Sequence, residues 1–173
     1  MRIMVVGYSG SGKSTLSEKL GKKYGLPVLY LDQVHWLPGW QEQERGREQA
    51  IVQEFLDLHG QWVIDGNYSA LHYEQRLALA DWIIFMNFNR ARCLMRAWRR
   101  YVHYRHKTRP SMAGGCPEKM DWEFIRWILH DGRTKARRQG YEKLKRQYGH
   151  KMLVIKNQRQ LDRLLRGRLA SGQ

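Results

Sequence analysis

Nine residues near the start of the chain, Gly7-Tyr8-Ser9-Gly10-Ser11-Gly12-Lys13-Ser14-Thr15, have the types and spacing that hold a nucleoside triphosphate. They satisfy the pattern G-x-x-x-x-G-K-[ST], in which glycines let the backbone wrap until successive N–H groups converge on phosphate oxygens. Lys13 adds a full charge reaching the β- and γ-phosphates, and the Ser14 hydroxyl suits a Mg²⁺ ion. ATP and Mg²⁺ are therefore the expected cofactors. Gly7, Ser9, Gly10, Ser11, Gly12, Lys13, Ser14 and Thr15 form the expected binding loop. The flanks agree with this reading: Ile3-Met4-Val5-Val6 reads as a buried strand, and Leu16 and Leu20, four apart, mark a helix whose positive dipole end faces the phosphates.

Two carboxylates extend the chemistry. Asp65 closes a short apolar run, Trp62-Val63-Ile64, where a carboxylate can hold the metal's water shell beside Ser14; capping of the next helix is its structural alternative. Asp32 closes the run Val28-Leu29-Tyr30-Leu31 and fits a general base toward a hydroxyl, a substrate or metal contact, or a turn residue. Between Arg90 and Tyr104 arginines stand at 90, 92, 96, 99 and 100; Arg92, Arg96 and Arg100 share a helix face and can neutralise charge on a transferring phosphoryl group. Lys13, Asp32, Arg96 and Arg100 are the expected catalytic residues, Ser14 and Asp65 the expected metal ligands. Trp36 and Trp40 beside Asp32 fit packing, or stacking on a planar acceptor. His103 and His106 lie three apart without a third partner, which argues against a metal site.

These residues need a scaffold, and the hydrophobic pattern supplies one. Apolar runs at 3–6, 28–31, 62–64, 82–86 and 152–155 alternate with helical segments, which predicts an α/β fold: a three-layer, doubly wound, five-stranded parallel sheet with its ligand face at the strand carboxyl ends. A segment over 33–60 departs from a tight connection, with an irregular aromatic stretch and a helix from Glu42 to Leu58 that places Ile51, Phe55 and Leu58 on one face. A basic lid is expected over about 90–122. It holds a helix with Leu94, Ala97, Trp98 and Tyr101 facing the core, and then Thr108 to Pro117, whose two prolines and paired glycines suit a mobile loop. Asp121 is expected to cap a helix through Leu129, followed by helices over 133–148 and 161–169.

Length bounds the rest: 173 residues suit a single domain. No run approaches the roughly 18 apolar residues of a membrane span, and no signal core precedes the first strand, so a cytoplasmic protein with no membrane partner is expected. Cys93 and Cys116 are far apart and read as reduced thiols. The net charge of +15 is concentrated: residues 90–150 hold 17 Lys and Arg against 5 Asp and Glu. Such a segment binds substrate phosphates, binds nucleic acid, or forms a solvated surface.

Other phosphate-loop classes lose their support. Asp57-Leu58-His59-Gly60 matches the D-x-x-G of GTPases but ends a helix instead of following a strand, and neither N-K-x-D nor L-S-G-G-Q occurs. The chain resembles the nucleoside monophosphate kinase group, through Asp65-Gly66 after the third strand and through Arg96 and Arg100, nine and thirteen residues beyond Asn87. It departs from that group where Asn67-Tyr68-Ser69 replaces F-P-R and Asn87 replaces a common Asp. A fuller resemblance, to the bacterial DNA topology modulation proteins of FlaR type, rests on Leu31-Asp32 with Trp36-Leu37-Pro38-Gly39-Trp40, Trp62 through Tyr68, Thr108-Arg109-Pro110, Gly115-Cys116-Pro117-Glu118 and Asp121-Trp122-Glu123-Phe124. The resemblances imply a phosphate-loop kinase-like fold, an insert holding the acceptor, a lid over the donor, and phosphoryl transfer to a small molecule. A regulator that binds nucleic acid and is switched by nucleotide is the alternative, since the family's name implies an effect on DNA.

Overall fold

The computed structural model describes residues 1–105 and 107–169. His106 lies outside the described residues. Five strands form one parallel sheet: β1 (Arg2–Gly7), β2 (Val28–Tyr30), β5 (Trp62–Asp65), β6 (Trp82–Met86) and β7 (Met152–Ile155), side by side in the order β2-β5-β1-β6-β7. The central strand β1 aligns Ile3 with Val63 of β5 on one side and with Trp82 of β6 on the other. All four residues of β5 are buried, as are the last five of β1 and the last four of β6. Successive side chains of a strand point to opposite faces, so unbroken burial requires cover on both sides, which is the three-layer arrangement.

Helices α1 (Lys13–Tyr24), α2 (Leu31–His35), α3 (Arg45–Leu58), α4 (Tyr73–Leu79), α5 (Arg90–His103), α6 (Trp122–Leu129), α7 (Lys135–Tyr148) and α8 (Gln158–Arg166) connect the strands. Short polar side chains start several of them. Asn89 accepts from the Arg92 amide at 2.9 Å, Asp121 from Phe124 at 2.8 Å, and Asn157 from Gln160 at 3.0 Å. The expected cap at Asp121 is present. No helix among the described residues is long and apolar enough to cross a membrane.

Several local expectations change. Strand β2 stops at Tyr30; Leu31 opens the short helix α2, so Asp32 sits in a first helical turn. The aromatic stretch is ordered as a hairpin, β3 (Trp36–Leu37) against β4 (Gln41–Glu42), with Trp36 opposite Glu42. Helix α3 buries Glu48 and Val52, with Ile51 and Phe55 packed partly against the core, and leaves Leu58 exposed at its end. Helix α5 turns Cys93 and Ala97 inward, whereas Trp98, which the spacing placed in the core, is 55% exposed. The segment after α5 is tied to the hairpin. The Gly39 amide donates to the Gly115 carbonyl at 3.0 Å, the Cys116 thiol to the Leu37 carbonyl at 3.1 Å, and the Gln33 side-chain amide to the Pro110 carbonyl at 2.6 Å. Both cysteines are free and buried.

Candidate functional site

The glycine-rich loop leaves β1 at the sheet's carboxyl edge and ends at Gly12, the N-cap of α1. No side chain caps α1, so its first amides stay open toward an anion. At Gly10, φ is +74° and a Cβ would lie 2.4 Å from the Cys93 carbonyl oxygen, so α5 packs on the loop closely enough to exclude any side chain there. Asn67 clamps the loop's first residue: the Gly7 amide donates to its Oδ1 and its Nδ2 donates to the Gly7 carbonyl, both at 2.9 Å. Trp127 Nε1 donates to Ser9 Oγ at 3.1 Å from α6. Lys13 Nζ donates to the Tyr8 carbonyl at 3.3 Å. Burial pushes its pKa down, and the charges of Asp65 and Asp32 oppose that shift.

Asp65 is only 4% exposed, and burial lifts its carboxyl from 3.8 to about 6 even though Lys13 and the Ser14 hydroxyl favour its ionised form. Helix α4 begins at Tyr73, too far along to be capped by Asp65. Its Oδ1 has no hydrogen-bond partner. Among the described residues, Ser11 Oγ, Trp40 Nε1 and Asp65 Oδ1 are buried side-chain polar atoms in that condition, and all three residues belong to the loop or to the cavity beside it; Arg109 Nε also lacks a hydrogen bond but is ion-paired with Glu118. Unsatisfied buried groups gathered in one place mark a site built for something else to complete. One buried carboxylate with a free oxygen beside a loop hydroxyl fits Mg²⁺, which takes few protein ligands and shares the rest with phosphates and water. No cluster of three or more His, Cys, Asp or Glu suited to a metal occurs among the described residues.

Of the arginines set on one face of α5, Arg96 and Arg100 reach the cavity and Arg92 faces solvent. Arg99 also lines it. Arg96 donates to the Ser11 carbonyl at 2.5 Å and to Gln158 Oε1 at 2.6 Å, and lies 3.9 Å from the centre of the Phe88 ring. Arg100 Nε donates to Glu118 Oε2 at 2.9 Å. Burial pulls both guanidinium pKa values down.

Asp32 stands across the cavity and is held from two sides. Tyr68 donates its hydroxyl to Oδ1 and Arg109 donates to Oδ2, each at 2.8 Å. Arg109 Nε also faces Glu118 Oε1 at 3.1 Å, which links Asp32, Arg109, Glu118 and Arg100 in one chain of ion pairs. Burial and the neighbouring Asp32 charge raise the Tyr68 hydroxyl far above its usual range. Trp36 and Trp40 line the same wall, their ring centres 5.4 Å apart. Sequence reasoning singled out Asp32 but missed Asn67, Arg109, Glu118 and Trp127 as site residues. Arg109 stood within the segment read as a loop and Glu118 directly after it, and nothing in their spacing connects them to Asp32, 77 and 86 positions away.

The cavity that joins these groups has a volume of about 1640 Å³ and runs from Ser9, Lys13 and Ser14 past Asp65 to Asp32 and Trp36. It opens at the carboxyl ends of parallel strands, where the chain crosses from β5 on one side of β1 to β6 on the other, which is where such sheets bind ligands. Strand order, loop and cavity together define a phosphate-loop kinase fold. No protein-family model and no curated protein matches the chain. Among solved structures it is similar to shikimate kinase from Acinetobacter baumannii in complex with shikimate, at 19% identity and a TM-score of 0.57, over 93% of this chain and 87% of that one. It is also similar to deoxyadenosine kinase from M. mycoides with bound dATP, at 13% identity and a TM-score of 0.53, over 95% of this chain and 97% of that one. At these identities the likeness is one of fold.

Proposed function

We propose that the protein transfers the γ-phosphoryl group of ATP to a hydroxyl of a small-molecule acceptor. The single observation that carries this reading is the continuity of the cavity: it exceeds the roughly 300–1,000 Å³ of a site for one small ligand, and connects the phosphate loop with a second polar centre at Asp32. Two ligands meeting end to end account for both. The loop amides and Lys13 hold the donor, while Ser14 and Asp65 hold Mg²⁺, which when bound neutralises charge on the β- and γ-phosphate oxygens. Arg96 and Arg100 face the charge that spreads over the transferring group. Asp32, oriented by Tyr68 and Arg109, accepts a hydrogen bond from the acceptor hydroxyl and takes its proton as the new oxygen–phosphorus bond forms and ADP leaves. In this reading residues 33–60 hold the acceptor and 90–122 close over the donor, in one domain. The resemblance to FlaR-type proteins agrees with this arrangement and leaves the acceptor to be found by a screen of nucleotides, sugars and small metabolites, read as acceptor-dependent ADP release. Lys13→Ala abolishes that release while the circular dichroism spectrum is retained; full activity in the variant would refute the reading.

One observation favours nucleic-acid binding as a second activity. Trp98 and Trp122 are 55% and 75% exposed on α5 and α6, where exposed Arg92, Arg99 and Arg126 also lie. Rings for stacking beside cations suit single strands. Such binding falls steeply with salt because each neutralised phosphate releases counterions, so gel-shift titrations across a salt series decide it; no shift at low salt rejects it.

A further inference from the structure

Resting on the transferase reading above, we propose that the acceptor half of the cavity is built for an uncharged, flat-ringed alcohol, with a nucleoside as the test case, and against a phosphorylated or carboxylate-bearing acceptor. The cations of that half are already committed. Arg100 is paired with Glu118, and Arg109 with both Glu118 and Asp32, so the four side chains carry no net charge. The Glu118 side chain is 5% exposed, which keeps solvent from screening the network. An entering anion would meet two fixed carboxylates and could gain an arginine only by leaving one of them buried without its partner, a strongly unfavourable exchange. An uncharged hydroxyl avoids that conflict, because each oxygen of Asp32 keeps a free lone-pair site after accepting from Tyr68 or Arg109.

The other cations that line the cavity lie outside this ion-pair network. Lys13 faces the donor phosphates, and exposed Lys119 lies over the Trp40 ring at 4.7 Å, on the rim. The wall beside Asp32 is aromatic and continuous. Tyr68 and His35 lie 4.8 Å apart between ring centres, His35 and Trp36 4.6 Å, and Trp36 and Trp40 5.4 Å. His35 is fixed there by Glu48, whose Oε1 is 2.5 Å from its Nδ1. A flat ring can lie against such a wall while its hydroxyl reaches Asp32.

The test is calorimetric titration of the full chain, saturated with Mg²⁺ and a non-hydrolysable ATP analogue, by nucleosides, by their 5′-monophosphates and by a hydroxy acid such as shikimate. At least one nucleoside is expected to bind about tenfold more tightly than its own monophosphate and than the acid. Equal or reversed order overturns the proposal, and so does absence of binding by every nucleoside. In Glu118→Gln one buried negative charge is gone and Arg100 is released, so the affinity for a monophosphate relative to its own nucleoside rises by about tenfold; an unchanged ratio in a folded variant removes the network from the explanation. The wild-type comparison needs no variant to fold. Acceptor-dependent ADP release, measured on the same panel, separates the two claims: release with monophosphates or acids alone refutes this inference and keeps the transferase reading, while correct binding order without any release does the reverse.

Discussion

Replacing Asp65 by asparagine is expected to make the protein more stable and inactive at once. Its carboxyl is lifted to about 6 in the fold from an ordinary 3.8, and the largest cause is burial. An acid whose pKa rises on folding stabilises the folded state while protonated, and that contribution is lost as pH climbs from below 3.8 through about 6. At about 1.4 kcal/mol for each tenfold change, ionised Asp65 costs the fold up to about 3 kcal/mol at pH 7 and above. Asparagine has the same shape and never ionises, so Asp65→Asn should recover most of that amount, less what Lys13 loses when its neighbour's charge disappears. For a domain of this size, 3 kcal/mol corresponds to roughly 6–12 °C in melting temperature. Urea unfolding of both proteins at intervals from pH 4 to 8 gives the difference directly. It should be smallest near pH 4, widen through pH 6 and then level off, while Mg²⁺-dependent ATP turnover is lost. A difference that does not vary with pH, or a variant less stable at pH 7, would refute the claim that the site holds a carboxylate against its own desolvation.

Two further variants test the scaffold around the loop. Arg76 is fully buried and donates to the carbonyls of Leu71 at 2.7 Å and Tyr68 at 2.7 Å, with Gly66 at 3.5 Å, and burial brings its pKa down to about 10. Arg76→Met fills the space but leaves those carbonyls without a donor, and should cost about 2–4 kcal/mol in urea unfolding; an unchanged midpoint would show that the guanidinium does not hold the segment after Asp65. Gly10→Ala should weaken ATP binding by at least about tenfold, because its Cβ would meet the Cys93 carbonyl at 2.4 Å and push the loop off α5. Gly25→Ala is the control: its φ is +64° but nothing lies within 4 Å of the added methyl, so it should lose about 1 kcal/mol of stability and keep nucleotide affinity. Equal affinity loss in both would separate the effect from the packing of α5 on the loop.

The sheet and the loop were legible in the sequence because both depend on neighbours along the chain. Unbroken apolar runs specify strands buried on two faces, and G-x-x-x-x-G-K-[ST] is a local geometry. The place of Asp65 at a strand end was legible for the same reason, since it directly follows such a run. The acceptor side was not. What orients Asp32 is Tyr68 and Arg109, and what holds Arg109 is Glu118; these meet only after α2, the hairpin and the segment after α5 have docked. Helical periodicity also misplaced Trp98: period alone gives a stripe, and the stripe that packs inward on α5 is centred on Cys93 and Ala97, where the phosphate loop and Phe88 wait.

The distribution of arginines shows what the raw charge conceals. Residues 90–150 carry most of the protein's positive charge, yet some of these cations are not on the surface at all. Arg133 is buried, donating to the Phe88 carbonyl at 2.8 Å and lying 3.8 Å from the centre of the Tyr8 ring, so it fastens the segment between α6 and α7 to the start of the phosphate loop. Arg96 holds the other end of that loop through the Ser11 carbonyl, and Arg100 and Arg109 are bound up with Glu118 and Asp32. Guanidinium groups suit these posts because a planar fork can serve a carbonyl, a carboxylate and a ring face from one fixed position. Arg96, Arg100 and Arg109 also line the cavity, whereas Arg133 lies outside it. Four of the twelve arginines in residues 90–150 turn inward onto the phosphate loop and the cavity beside it, so the exposed positive charge open to a polyanion outside is smaller than the raw count suggests.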